Sequence, residues 1–193
     1  MEIVPCITLK NYNKLNYFIS VESISQYIKE GEKLYILDLD GIEKNKPNLC
    51  FYQKLSNSYD LWIDCRPRNI GDVIDIFMTG ATSITIRRTL NPLFSISDIR
   101  DISENKVYIN IELQDYKNYS SDDLFLKEYD GFVNFNNREE IEQDFKFVEY
   151  LNKMQNKIYC YENNVKNHSF WEKIGVTGLL VDINNLKEFK NGL

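Results

Sequence analysis

The segment LWIDCRPRNIGDVIDIFMTGATSITIRRT (Leu61–Thr89) holds one complete structural repeat. It opens on an apolar run, turns through a stretch rich in arginine, carries a helical pattern, and closes on a second run rich in β-branched residues. Ile70, Val73, Ile74 and Phe77 stand at i, i+3, i+4 and i+7, which places them on one face of a helix. Asn69 is positioned to cap the start, and Gly80 to end the helix in a left-handed turn. Strand, helix and strand in that order predict a parallel pair joined by a right-handed crossover.

The same unit recurs in both directions. Upstream runs are Glu2–Thr8, Lys33–Asp38 and Tyr59–Asp64; Thr82–Ile86 closes the quoted segment, and Lys106–Glu112, Gly131–Phe135, Lys157–Tyr161 and Thr177–Asp182 follow. Most are continuous apolar runs, as in parallel strands covered on both faces. Two more helical patterns stand out: EEIEQDFKFVEYLNKM, with Ile141, Phe145, Val148 and Leu151 on one side, and SISQYIKEG, closed by Gly31. The polar stretch Gln114–Asp123 reads as a strand-to-helix loop. An open doubly wound sheet is the rival arrangement, but it usually has five or six strands. Eight units favour a compact (β/α)8 TIM barrel, one domain spanning residues 1–193.

Composition narrows the function classes. A hydrophobic share of 43% suits a globular chain, and a formal charge of −6 with no basic cluster disfavours nucleic acid and anionic membrane as partners. No run approaches the ~20 apolar residues that cross a bilayer. The start, MEIVPCITLK, lacks the charge and length pattern of an export signal, so the expected compartment is the cytoplasm. Cys6, Cys50, Cys65 and Cys160 form no CxxC pair and read as reduced thiols.

Three segments resemble the family of the histidine-biosynthesis ProFAR isomerase and its sister cyclase subunit. IVPCITLKN is similar to that family's first strand, of form IPAIDLKDG. LYILDLDGIEKNKPNL is similar to its LHVVDLDGA…NL second strand. The quoted segment lines up without gaps with VQVGGGIRDLEDVEALLDAGVDRVIIGTA. The resemblance implies a barrel in which two acids perform a sugar rearrangement as general acid and base. It places the first-strand acid on Thr8, which cannot exchange a proton near neutral pH, and the fifth-strand acid on Glu112.

The family's glycine-rich phosphate sites are also replaced. The site after strands three and four becomes Asp64-Cys65-Arg66-Pro67-Arg68 and Arg87-Arg88. The site after strands seven and eight becomes Glu162-Asn163 and Asp182, carboxylates that would repel a dianion. Arg66, Arg68, Arg87 and Arg88 are candidates to hold one anionic group; alternatively, Asp64 and Glu112 pair with those arginines and close the mouth. Asp38 and Asp40 end the second run, where barrels build their sites. Asp38, Asp64, Glu112 and Thr8 are thus the catalytic candidates, with Asp40 as a supporting residue or a loop cap.

The remaining polar residues read as structural. His168 has no neighbours that would form a triad with it and reads as a loop or capping residue. Cys6, Cys65 and Cys160 fall on odd-numbered strands, which share layers in a barrel. A metal site would need them level and joined by another ligand, so they read as small core residues. Trp62 and Trp171 read as packing. No metal or cofactor is expected. Two functions stand: a divergent sugar-phosphate isomerase for a small ligand with one anionic group, and a non-catalytic barrel acting as a binding or partner protein.

Overall fold

The computed structural model describes residues 1–11, 21–114, 124–153 and 156–192. The strands are β1 (Glu2–Leu9), β2 (Lys33–Asp38), β3 (Asp60–Asp64), β4 (Ser83–Ile86), β5 (Lys106–Asn110), β6 (Gly131–Asn134), β7 (Lys157–Tyr161) and β8 (Gly178–Asp182). Each pairs in parallel with the next, and β8 pairs with β1 to close the barrel. The helices are α1 (Val21–Ile24), α2 (Leu39–Lys44), α3 (Leu49–Leu55), α4 (Ile70–Met78), α5 (Ile96–Arg100), α6 (Arg138–Gln143), α7 (Phe145–Lys153), α8 (His168–Lys173) and α9 (Leu186–Gly192). Among the described residues, no helix is long and apolar enough to cross a membrane.

Strand alternation divides the apolar residues into two cores. Outward residues such as Ile36, Ile63, Ile84, Ile109 and Leu179 pack under the helices, while Val4, Cys6, Tyr35, Trp62, Tyr108, Val133, Tyr159 and Leu180 fill the lumen. Large rings come from β2, β3, β5 and β7, and smaller residues from the other four strands, so the layers interdigitate. Trp62 lies 3.9 Å from Tyr108 and meets Tyr35 and Tyr159 edge-on at 5.0 and 4.9 Å.

Gly178 makes room for this packing. A Cβ there would sit 2.8 Å from the Tyr159 ring and 2.9 Å from the Glu2 carbonyl oxygen. Tyr159 cannot easily retreat, because its hydroxyl donates to Glu2 Oε2 at 2.7 Å. Gly178→Ala is expected to lower stability by about 1–3 kcal/mol, the usual cost of overpacking. Urea denaturation checks this, and an unchanged midpoint would contradict it.

The helices depart from the sequence pattern at three places. In α4, Asn69 does cap Asp72 N (3.1 Å) and Gly80 does adopt a left-handed φ of 91°. The buried face, however, runs through Val73 and Ile76, and Ile74 is 43% exposed. The run at 139–154 is two helices. Asp144 breaks it with φ −110° and ψ 81° and accepts from Phe147 N at 3.1 Å, so an N-cap inside the run resets the phase. Among the described residues there, Ile141, Phe147 and Tyr150 are buried. The side chains of Phe145 and Leu151 lie outside the described set, as does nearly all of the Gln114–Asp123 loop. The third pattern gives only the single turn α1, because the Ser25 hydroxyl donates to the Glu22 carbonyl and competes with the helix ladder.

Candidate functional site

In a barrel of this kind the site lies at the C-terminal ends of the strands. Continuing the lumen alternation by one step brings Thr8, Leu37, Asp64, Arg87, Asn110, Phe135, Tyr161 and Asp182 to the mouth. Leu37, Phe135 and Tyr161 pack on the lumen core, and Phe135 and Tyr161 rings lie 5.7 Å apart. Glu112 lies two residues past the end of β5, not within the strand.

One ion pair dominates this layer. Arg87 Nε donates to Asp64 Oδ1 at 2.9 Å, and Nη2 donates to Oδ2 at 2.7 Å. Asp64 is fully buried and also accepts from the Tyr35 hydroxyl at 2.8 Å. The guanidinium lies 5.2 Å from the Phe135 ring centroid, and Nη1 reaches Asn110 Oδ1 at 3.3 Å. Asn110 in turn donates to Glu112 Oε1 at 2.8 Å. Burial opposes the charge on Arg87, but the adjacent Asp64 carboxylate outweighs it and raises the pKa above the usual arginine range. Tyr35 is likewise pushed up, by burial first and then by Asp64. The pairing expected between Asp64 and an arginine is present. Glu112 is linked to it through Asn110.

Asp38 is not at the mouth. As the residue after inward Leu37 it points outward, where it is fully buried beneath α2 and α3. Its carboxylate accepts from Asp40 N (3.0 Å), Gly41 N (3.1 Å), Asn48 N (2.9 Å), Asn48 Nδ2 and the Tyr52 hydroxyl. A carboxylate held by this many donors, away from the lumen, organises the double-helix connection. Asp40 lies in the first turn of α2 and does not end β2. It accepts from Asn11 N at 2.9 Å and from Lys44 Nζ at 2.6 Å, tying the end of β1 to α2.

The four arginines do not converge. Arg66 has a left-handed φ of 58°, at a position aligned with glycine in the resemblance. Its guanidinium reaches sideways to the carbonyls of Ile42 (3.2 Å) and Leu90 (3.4 Å), joining two loops. Arg68 N donates to Asp72 Oδ2 at 2.7 Å, and its half-buried side chain makes no ion pair or hydrogen bond among the described residues. Arg88 is exposed in the short 3-10 turn Arg88–Leu90. Only Arg87 enters the lumen layer.

The mouth after β7 and β8 also differs from expectation. Glu162 points outward and accepts from Asn164 N (2.8 Å), Asn167 Nδ2 (2.8 Å) and Trp171 Nε1 (2.9 Å). It therefore fills its own loop and does not face a ligand. Asp182 is the lumen carboxylate. Its Oδ1 accepts from Asn184 N (2.9 Å) and Nδ2 (2.7 Å), while Asp182 N donates to Asn163 Oδ1 at 2.9 Å.

A common device links these loops. Asp38, Asn134, Glu162 and Asp182 each accept from the backbone N–H two residues ahead. Side chains also occupy the first turns of α4, α5 and α6, where Asn69, Ser95 and Asn137 accept from Asp72 N, Asp98 N and Glu140 N. Phosphate sites of the backbone type need such N–H groups to face an anion. Here the chain's own oxygens hold many of them.

The remaining candidates lie apart. Cys6 is in the lumen, and burial first, then Asp182 and Asp64, push its thiol far above the usual range, away from a thiolate. Cys65 and Cys160 pack outside the barrel wall, so the three thiols do not share a layer. Among the described residues no group of three or more His, Cys, Asp or Glu could hold a metal. His168 begins α8. Trp62 fills the lumen, and Trp171 packs under the helices. Tyr35, Asn110, Phe135 and Tyr161 were missed by motif matching; alternation past Tyr108 and Tyr159 was the available signal.

No family model matches the chain, and no curated protein matches it. The structure is similar to 3-hexulose-6-phosphate synthase from Salmonella typhimurium. The TM-score is 0.64, covering 99% of this chain and 97% of that chain at 9% identity. The chain has a TIM-barrel fold. At that identity the likeness concerns fold alone, and these comparisons give no support to membership of the histidine-biosynthesis family.

Proposed function

We propose that this barrel is a non-catalytic binding protein, related in descent to sugar-phosphate barrels such as the synthase it resembles. The Arg87–Asp64 pair carries this reading. General acid–base chemistry needs a carboxyl that can exchange a proton with substrate. Asp64 is buried under a bidentate guanidinium and a tyrosine hydroxyl, Asp38 is outside the lumen, and Glu112, which accepts from Asn110 Nδ2 at 2.8 Å, has Thr8 at the position of the second acid that a two-acid rearrangement needs. Purified protein is expected to give no turnover of the bis-phosphorylated ribotide used by ProFAR isomerase, and no growth in a strain lacking that enzyme. Turnover or growth overturns the reading.

The single-anion isomerase is the second reading, and Arg68 favours it, since its guanidinium makes no ion pair or hydrogen bond among the described residues. That reading expects a sugar phosphate to raise the melting temperature saturably, with the effect lost in Arg68→Ala. The non-catalytic reading expects no such stabilisation.

A further inference from the structure

We infer that a cavity outside the barrel wall binds a free aliphatic α-amino acid as its zwitterion. The cavity, of about 180 Å³, lies between α4, the β3–α4 loop and the connection from α2 to α3. Arg66, Asp72 and Asp75 supply its charged lining, and Pro47, Leu49 and Ile76 supply apolar lining. It is separate from the lumen, so the inference does not depend on whether the lumen is catalytic.

Charge defines the ligand. Opposite charges that share a crevice ordinarily pair, as Arg87 and Asp64 do in the lumen. Here they do not: among the described residues, Arg66, Asp72 and Asp75 form no ion pair. Each Nη of Arg66 donates to one carbonyl, Ile42 or Leu90, which leaves one hydrogen on each, and its buried Nε has no partner among the described residues. Asp72 already accepts from Arg68 N at 2.7 Å and from Asn69 Nδ2 at 3.2 Å. Asp75 is exposed, and its carboxylate makes no hydrogen bond among the described residues. Arg66 is thus open to a carboxylate, and Asp75 to an ammonium group. A lone anion would gain Arg66 but face two carboxylates, and a lone cation would gain Asp75 but face the guanidinium. A neutral molecule would leave both ends without a counter-charge. A zwitterion meets each end with its complement.

Size and walls narrow the class. The volume equals that of about six water molecules at about 30 Å³ each, below the roughly 300 Å³ at which sites for drug-sized ligands begin. That admits a molecule of amino-acid size. Ile76 is buried, and Pro47 and Leu49 are half-buried, so an aliphatic side chain gains contact there by leaving water.

Isothermal titration and backbone-amide NMR of the full chain with alanine, valine and leucine test this. At least one is expected to bind saturably and to move the amide resonances of Arg66, Asp75 and Ile76. Arg66 is probed through the ligand, since replacing it would also untie the Ile42 and Leu90 loops. The amino acid's amide lacks the carboxylate, and its desamino acid lacks the ammonium group. Each is expected to bind at least about tenfold more weakly, the scale of one lost hydrogen bond between charged groups. Asp75→Asn is expected to lower the affinity at least about threefold, as for an exposed ion pair, and added salt to weaken binding. Glu172→Gln, on an exposed position of α8, leaves the affinity unchanged. Absence of saturable binding by all three amino acids up to about 10 mM overturns the inference. So does an analogue with one charge that binds as tightly as the amino acid, or an unchanged affinity in Asp75→Asn. Shifts centred on Asn110 and Tyr161 would place the ligand in the lumen and also overturn it.

Discussion

Replacing Arg87 with alanine is expected to lower stability by about 3–5 kcal/mol, because it leaves a buried carboxylate without its counter-charge. Among the described residues, Asp64 would keep only the Tyr35 hydroxyl at 2.8 Å. For a chain of this size the loss corresponds to roughly 10 °C in melting temperature. Replacing both members, as Asp64→Leu with Arg87→Met, is expected to recover most of that loss, since two well-packed apolar residues carry no desolvation cost. Thermal denaturation of the two single variants and the double variant closes the cycle. Additive losses would contradict a coupled pair, and a stable Arg87→Ala would show that the guanidinium is a ligand group and not a structural one.

Asp38→Ala is expected to cost about as much, roughly 3–5 kcal/mol, for a different reason. The substitution strands two backbone N–H groups at the start of α2, the Asn48 amide groups and the Tyr52 hydroxyl, all in a dry setting. Each buried donor left unsatisfied costs about 1–3 kcal/mol, and partial relaxation keeps the total below their sum. Asp38→Asn keeps an acceptor for the helix start but turns an NH2 toward other donors, so an intermediate loss is expected. Chemical denaturation separates this role from a catalytic one. A catalytic Asp38 would leave the midpoint near that of the unsubstituted chain.

The difference between these aspartates explains what the sequence made legible. All eight strands were visible because apolar runs and turn residues alternate without interruption. Asp64 and Arg87 each end or follow a strand on the inward parity, so their pairing was among the sequence readings. Asp38 stands in a motif as suggestive as any in the chain, but its partners Asn48 and Tyr52 lie 10 and 14 residues onward. Only the folding back of α3 brings them together. Glu162 misled for a related reason: its parity is outward, and Trp171 supplies a buried donor that nothing local announces. The helix phase at Asp144 was hidden because one capping residue inside a periodic run reads equally well as a surface position.

The resemblance to phosphate-handling barrels and the observed loop chemistry therefore point in different directions, and the backbone N–H groups decide between them. In this fold an anion is held when those groups face the lumen; here carboxylates and amides of the same loops take them. A backbone-amide NMR titration with inorganic phosphate tests this most directly, following Asp40, Asn136, Asn164 and Asn184. These four resonances are expected to stay in place, with no saturable change at concentrations up to several times about 1 mM. A saturable shift of Asn164 and Asn184 together, with a dissociation constant below about 1 mM, would show an intact phosphate cradle and contradict it.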